Sequence, residues 1–175
     1  MSNLKKVFIV DITDCFYQQW NIEDRPLIIN DDFISRFSNK ILSMSDYYQS
    51  SHAVAVADTT ESWRKDSIKD YSFNGQKIPI DIYKGLERVD KKLQEGGWGP
   101  ILRKSRMEAI DIIWRIIKST KNKTDITKKV ISSDLRLLSL VGVDIEIESY
   151  FVKHEVERVK DEGWIDFKMG IEPSQ

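Results

Sequence analysis

Three hydrophobic runs in this chain each end on an aspartate: Val7-Phe8-Ile9-Val10-Asp11, Ala53-Val54-Ala55-Val56-Ala57-Asp58 and Lys129-Val130-Ile131-Ser132-Ser133-Asp134. Continuous β-branched runs suit strands buried on both faces, the requirement of a parallel sheet. A fourth segment, Val143 to Glu148, alternates apolar and acidic residues and predicts a more exposed strand. The period changes between these runs. Phe33, Phe37, Ile41 and Met44 mark one face of a helix from Asp31 to about Tyr48. A Lys- and Arg-rich stretch after Pro79, Asp81 to Gln94, predicts a second helix, and a third runs from about Arg103 to Ser119. Thr13-Asp14 is placed to cap a short helix carrying Phe16, Tyr17 and Trp20, and Asp134 to open another with Leu137, Leu138 and Leu140. Phe151 to Lys160 reads as a last helix, and the end beyond Gly170 as a loose tail. Breaks fall at Asn21 to Pro26, at Asn74-Gly75, at Gly96-Gly97-Trp98-Gly99-Pro100 and in the lysine-rich stretch from Lys121 to Lys128. The expectation is an α/β fold around a mostly parallel sheet.

Composition narrows the chemistry. The 175 residues suit one domain, expected over residues 1–170 with a flexible tail at 171–175. No apolar run reaches the length of a membrane span and no signal-peptide pattern opens the chain, so the expectation is a cytoplasmic protein with no membrane partner. Cys15 is the only cysteine, and His52 and His154 are the only histidines. That excludes an internal disulfide and a thiolate zinc cluster, and leaves oxygen ligands for any metal. The net charge of −1 hides an asymmetry: Lys84 to Lys129 holds 13 Lys/Arg against 6 Asp/Glu, while Asp134 onward holds 5 against 10. The basic stretch suits a surface that tracks phosphates, or equally a pair of solvated helices.

Ligands of open α/β sheets sit beyond the carboxyl ends of the strands. There Asp11, Asp58 and Asp134 can converge on a hard cation such as Mg²⁺. Singly, each aspartate is as well explained as a turn or cap residue. In the helix from Arg103, Glu108 and Asp111 share a face with Arg115 and Lys118 and could join the strand-end acids. The alternative is a surface ion pair of Asp111 with Arg115 at i, i+4. No Gly-rich phosphate loop follows any strand, which weighs against a mononucleotide-binding domain.

The order of these pieces resembles the flap endonuclease and 5′–3′ exonuclease family of the PIN-like fold, nearest to the phage ribonucleases H of that type. The resemblance rests on several short, colinear motifs between about residues 5 and 150. They are the first strand ending at Asp11; Ala57-Asp58 followed by Trp63-Arg64-Lys65-Asp66; Tyr83-Lys84 with Arg88; Glu108-Ala109-Ile110-Asp111; and Ser132-Ser133-Asp134-Leu135-Arg136. Three features depart from the family pattern: Ile110 and Arg136 stand where it has carboxylates, and the gap from Tyr83-Lys84 to Arg88 is one residue longer than usual. The family's downstream helix-hairpin-helix region is expected to be absent.

The resemblance implies a three-layer PIN-like fold and divalent-metal-dependent phosphodiester hydrolysis near 5′ ends or flaps. Asp11, Asp58, Glu108, Asp111 and Asp134 are the implied metal ligands, enough for one Mg²⁺ or Mn²⁺, with the second ion put in doubt by Arg136. Lys84, Arg88 and Arg136 are the implied catalytic cations. Trp63, Arg64 and Tyr83 are the implied substrate-binding residues, with Trp63 and Tyr83 either stacking on an unpaired base or covering core edges. The partner is nucleic acid, DNA or an RNA–DNA hybrid, with a protein supplying duplex binding. A second reading makes the chain an impaired pseudo-nuclease that serves as a binding or regulatory module.

Overall fold

The computed structural model describes residues 5–23, 25–26, 28–68, 78–120, 123, 125–140, 144–150 and 156–158. Strands β1 (Lys5–Asp11), β2 (His52–Val56), β3 (Ile126–Ile131), β4 (Ile145–Tyr150) and β5 (Val156–Arg158) form one sheet in the order β2-β1-β3-β4-β5. The first four strands are parallel, and β5 returns antiparallel to β4. The fold is therefore α/β, with a four-strand parallel sheet flanked by helices. Strand β1 is flanked on both sides, which accounts for its unbroken apolar run: Phe8, Ile9 and Val10 are all fully buried.

Alternate residues of β1 serve opposite layers. Phe8 and Val10 join the core beneath α1 (Ile12–Ile22), α2 (Asp31–Tyr47) and α4 (Ile80–Glu95), with Phe16, Phe37 and Leu86. Ile9 joins Val130, Ile113 and Ile117 beneath α5 (Ala109–Ser119). Fully burying each such side chain contributes about 1.5–3 kcal/mol. Where α4 crosses α1, a Cβ at Gly85 would lie 2.7 Å from Cζ of Phe16. Glycine is what that close approach admits.

Five expectations need correction. First, Asp11, not Thr13 or Asp14, caps α1, accepting from the Asp14 amide at 3.1 Å. Second, α5 begins at Ala109 rather than near Arg103. Arg106 takes a left-handed backbone (φ 62) and Glu108 is the extended N-cap. The preceding stretch instead covers the edge of β2, with the Leu102 amide on the Ala55 carbonyl at 2.8 Å and the Ala57 amide on the Leu102 carbonyl at 3.0 Å. Third, β4 is not an exposed strand. Ile145, Ile147 and Glu148 are buried, with the Glu148 carboxylate held by the Tyr48 hydroxyl and by Lys129 at 2.9 Å. Fourth, residues 156–158 are strand rather than helix; the rest of Phe151 to Lys160, the Asn74-Gly75 turn and the tail beyond Gly170 lie outside the described residues. Fifth, the turn expected from Asn21 starts later, because α1 continues to Ile22. The short helix after Asp134 is a 3₁₀ helix, Leu135–Leu140. No described helix is long and apolar enough to cross a membrane.

Candidate functional site

The carboxyl ends of β1, β2 and β3 bring Asp11, Asp58 and Asp134 into one buried cluster. Asp11 sits in the turn into α1 and accepts from Ser132 Oγ at 3.1 Å. Burial first, then the neighbouring charges of Asp58, Asp14 and Asp134, push its carboxyl well above the usual carboxylate range. Asp58 follows β2 by two residues, and its amide donates to Thr13 Oγ1 at 2.9 Å. One of its oxygens accepts from the Ala109 amide at 2.6 Å, while Oδ2 is buried with no hydrogen-bond partner among the described residues. Burial, opposed by the Ala109 amide and reinforced by Glu108, Asp14 and Asp134, raises Asp58 to about 7.

A fourth buried acid belongs to the cluster. Asp14 accepts from the amide and hydroxyl of Ser133, both at 2.6 Å, and so straps the start of α1 to the end of β3. Burial raises its carboxyl against those hydrogen bonds. Read as a possible cap, Asp14 was not a candidate site residue. The signal was its position three residues after Asp11, which places both acids in the first turn beyond a strand end.

Two arginines close the other half of the site. A bidentate pair joins Arg64 to Asp111, with both contacts at 2.7 Å, and Arg64 Nη1 lies 3.2 Å from Glu108. From the opposite side, Arg136 grips Asp134 through Nε at 2.9 and 3.0 Å and Nη2 at 2.5 Å, and reaches Glu108 at 3.1 Å. Local chain geometry fixes this arrangement. Ser62 caps α3 (Trp63–Ser67), accepting from the Arg64 amide at 3.2 Å, and donates to Glu108 at 2.7 Å. The Glu108 amide in turn donates to Asp111 at 3.1 Å. Burial would raise Asp111, but the Arg64, Glu108 and Trp63 hydrogen bonds outweigh it and hold the carboxyl below its usual value. The expected surface pair of Asp111 with Arg115 is thus replaced by the pair with Arg64. As the side chains stand, no three acidic, histidine or cysteine groups among the described residues are disposed to hold one metal ion.

The remaining candidates divide. Tyr83 is half-buried, and burial, then the charges of Asp58 and Glu108, push its phenol up to about 12. Trp63 is 43% exposed; its indole N–H donates to Asp111 at 3.2 Å and the Arg64 guanidinium lies 4.6 Å from its ring. Lys84 is brought to none of the acids of the cluster: its side chain is 70% exposed and pairs with Asp81 at 3.0 Å. Nor is Arg88, which donates to the Ile29 carbonyl at 2.5 Å and pairs with Asp31 at the start of α2.

The sequence and the fold have known counterparts. The flap endonuclease Xni of Pseudoalteromonas translucida is 24% identical over 172 residues, covering 98% of this chain and 62% of the relative. The flap endonuclease Xni of Vibrio campbellii is 29% identical over 131 residues, covering 73% and 48%. The chain thus spans between about half and three fifths of the length of these curated relatives. Among solved structures, a bacteriophage T5 5′-exonuclease with bound divalent metal ions (zinc) superposes with a TM-score of 0.67 at 18% identity, over 87% of this chain and 58% of that one. A T5 flap endonuclease pseudo-enzyme in complex with product DNA and metal ions gives 0.65 at 18% identity, over 87% and 57%. These two likenesses show the fold. A family model described as "5′-3′ exonuclease, N-terminal resolvase-like domain" matches residues 6–170, nearly the whole chain. With its strand-end acids and parallel sheet of PIN-like fold, the chain belongs to the 5′–3′ exonuclease N-terminal resolvase-like domain family.

Proposed function

We propose that this chain is a divalent-metal-dependent nuclease that hydrolyses phosphodiester bonds near 5′ ends or flaps. The observation that supports it best is Asp58 Oδ2, a buried carboxylate oxygen with no hydrogen-bond partner among the described residues, inside a cluster of acids. Six carboxylates (Asp11, Asp14, Asp58, Glu108, Asp111 and Asp134) face two guanidiniums, Arg64 and Arg136. A buried surplus of negative charge is costly unless a cation or protons compensate it.

The two halves of the cluster differ in their fit to metal. Asp11 and Asp58 suit one hard cation, because Mg²⁺ accepts one or two carboxylates and keeps several waters. Glu108, Asp111 and Asp134 are each committed to an arginine and do not suit a second ion. When bound, the ion would supply an activated water or stabilise a leaving oxygen. In this reading the Arg136 guanidinium stabilises charge developing on the phosphoryl group where a second ion would otherwise act. Exposed Lys84 draws in the phosphate backbone, Tyr83 contributes a neutral phenol, and Trp63 offers a face to an unpaired base. Residues 1–170 act as one domain, DNA or an RNA–DNA hybrid is the substrate, and a partner protein supplies the duplex-binding surface.

The arginine pairs favour a second reading, a pseudo-nuclease that binds nucleic acid or protein without cleaving. One experiment separates the two. End-labelled single-stranded, 5′-flap and RNA–DNA hybrid substrates are incubated with Mg²⁺, Mn²⁺ or EDTA, with wild type beside Asp58→Asn and Asp134→Ala. Cleavage that needs metal and both aspartates supports the nuclease. No cleavage of any substrate by folded wild-type protein supports the pseudo-nuclease.

A further inference from the structure

We propose that a second pocket, beside the acidic cluster on the outer face of α5, binds one nucleotide of a single-stranded nucleic acid. The base would lie against the indoles of Trp63 and Trp114, and the phosphate on Arg115. This deepens the nuclease reading, in that it takes nucleic acid as the ligand.

The pocket encloses about 510 Å³, within the ~300–1,000 Å³ range of small-ligand sites. Ile110 supplies an apolar floor, and Trp63, Trp114, Arg64, Arg115 and Arg136 supply most of the rest. Two large aromatic side chains, Trp63 at 43% and Trp114 at 40% exposure, stand open to solvent at one cavity. Each has a cation against its ring: the Arg64 guanidinium at 4.6 Å from Trp63 and the Lys118 ammonium at 3.6 Å from Trp114. Among the described residues neither indole stacks on another aromatic ring. Flat aromatic faces with clustered cations are what an unpaired base and its phosphate recognise.

The cations have unequal commitments. Both Arg64 and Arg136 already serve the carboxylates of the neighbouring site. Arg115 is exposed, and among the described residues it makes no hydrogen bond or ion pair. The lone acid of the lining, Asp111, is neutralised by Arg64. The pocket therefore presents a net positive, aromatic surface, and Arg115 is the group placed to accept a phosphate. A nucleotide held here would extend the path of a strand whose scissile bond lies at the acidic cluster, since Arg64, Asp111 and Arg136 border both.

The test is binding without chemistry. Fluorescein-labelled oligodeoxythymidine and its oligouridine counterpart are titrated in EDTA against wild type, Trp114→Ala, Trp114→Tyr and Arg115→Ala, with thermal melts to confirm folding. Trp114→Ala should weaken binding roughly 5- to 150-fold, the worth of one base–aromatic stack, and Trp114→Tyr should keep most of the affinity. Arg115→Ala should lower the slope of log K against log salt by about 0.7, one phosphate contact on a single strand. A larger loss on one of the two oligonucleotides identifies DNA or RNA as the strand bound. Unchanged binding by folded Trp114→Ala overturns the pocket even if the wild type cleaves. Failure of the wild type to bind either oligonucleotide also overturns it, as does a Trp114-dependent dimer with unaltered oligonucleotide binding. If the variants lose binding as expected while the wild type cleaves nothing, the pocket stands and the nuclease reading fails.

Discussion

Arg136 folds back on Asp134, two residues before it in the chain, and holds both carboxylate oxygens with its Nε at 2.9 and 3.0 Å. The backbone amide of Arg136 adds a hydrogen bond to the same carboxylate at 2.9 Å. The acid at the end of β3 is thus satisfied by the chain itself, and a divalent ion there must compete with a tethered guanidinium. Arg136→Asp removes that competitor and adds a carboxylate. Mn²⁺ affinity, read by calorimetry, should rise about tenfold or more, equivalent to ~1.4 kcal/mol. An unchanged titration would show that Arg136 does not guard a cation position.

Asp58 leads to a pH prediction. Its carboxyl titrates at about 7 in the fold against an ordinary value of 3.8. Between those values the native state holds a proton that the unfolded chain has released, so stability falls as pH rises through that window and levels off above it. Asp11 and Asp14 are shifted in the same direction. Asp111 is shifted the opposite way, so the stability it lends is lost only as pH falls below 3.8. In EDTA, the urea midpoint should therefore decline from pH 4.5 to 7.5. Asp58→Asn should flatten much of that decline, and Mn²⁺ at pH 7.5 should raise the wild-type midpoint. A midpoint independent of pH across this range would count against the buried acid cluster.

Arg64 offers a structural prediction. Its guanidinium is mostly buried and paired to two carboxylates, Asp111 and Glu108. Arg64→Ala leaves Glu108 buried with less compensation, and should cost about 3 kcal/mol in chemical denaturation. Arg64→Lys should recover little, because a lysine cannot reproduce the bidentate contact. Full stability in Arg64→Lys would mean that a point charge suffices.

Much of the sheet was legible in the sequence because parallel strands must be apolar on both faces, as Phe8, Ile9 and Val10 are. The convergence of Asp11, Asp58 and Asp134 followed from where such strands end. Other features were hidden for physical reasons. Helix periodicity extends across Met107 and Ile110, yet Met107 precedes the Glu108 cap, so the pattern overran the true start of α5. Buried Glu148 broke the inference that an acid alternating with isoleucines faces solvent; Tyr48 and Lys129, distant in sequence, make its burial tolerable. The pairing of Asp111 with Arg64 likewise depends on a contact across 47 residues, where local spacing offered Arg115 instead.

Lys84 and Arg88 sit one helical turn apart on α4 and should separate by phenotype. The Lys84 side chain is exposed and, among the described residues, pairs only within its own helix, so Lys84→Ala should change stability by no more than about 0.5 kcal/mol. If Lys84 guides the phosphate backbone, that variant should still lose cleavage, with the loss growing weaker as salt is raised. Arg88 instead ties α4 to the Ile29 carbonyl and to Asp31. Arg88→Ala should therefore destabilise the fold by about 1–2 kcal/mol through the hydrogen bond it strands. Its cleavage per folded molecule should stay near wild type. Melting curves beside single-turnover rates decide the matter: a stable Arg88→Ala protein without activity would move Arg88 to the substrate, and an active Lys84→Ala protein would remove Lys84 from it.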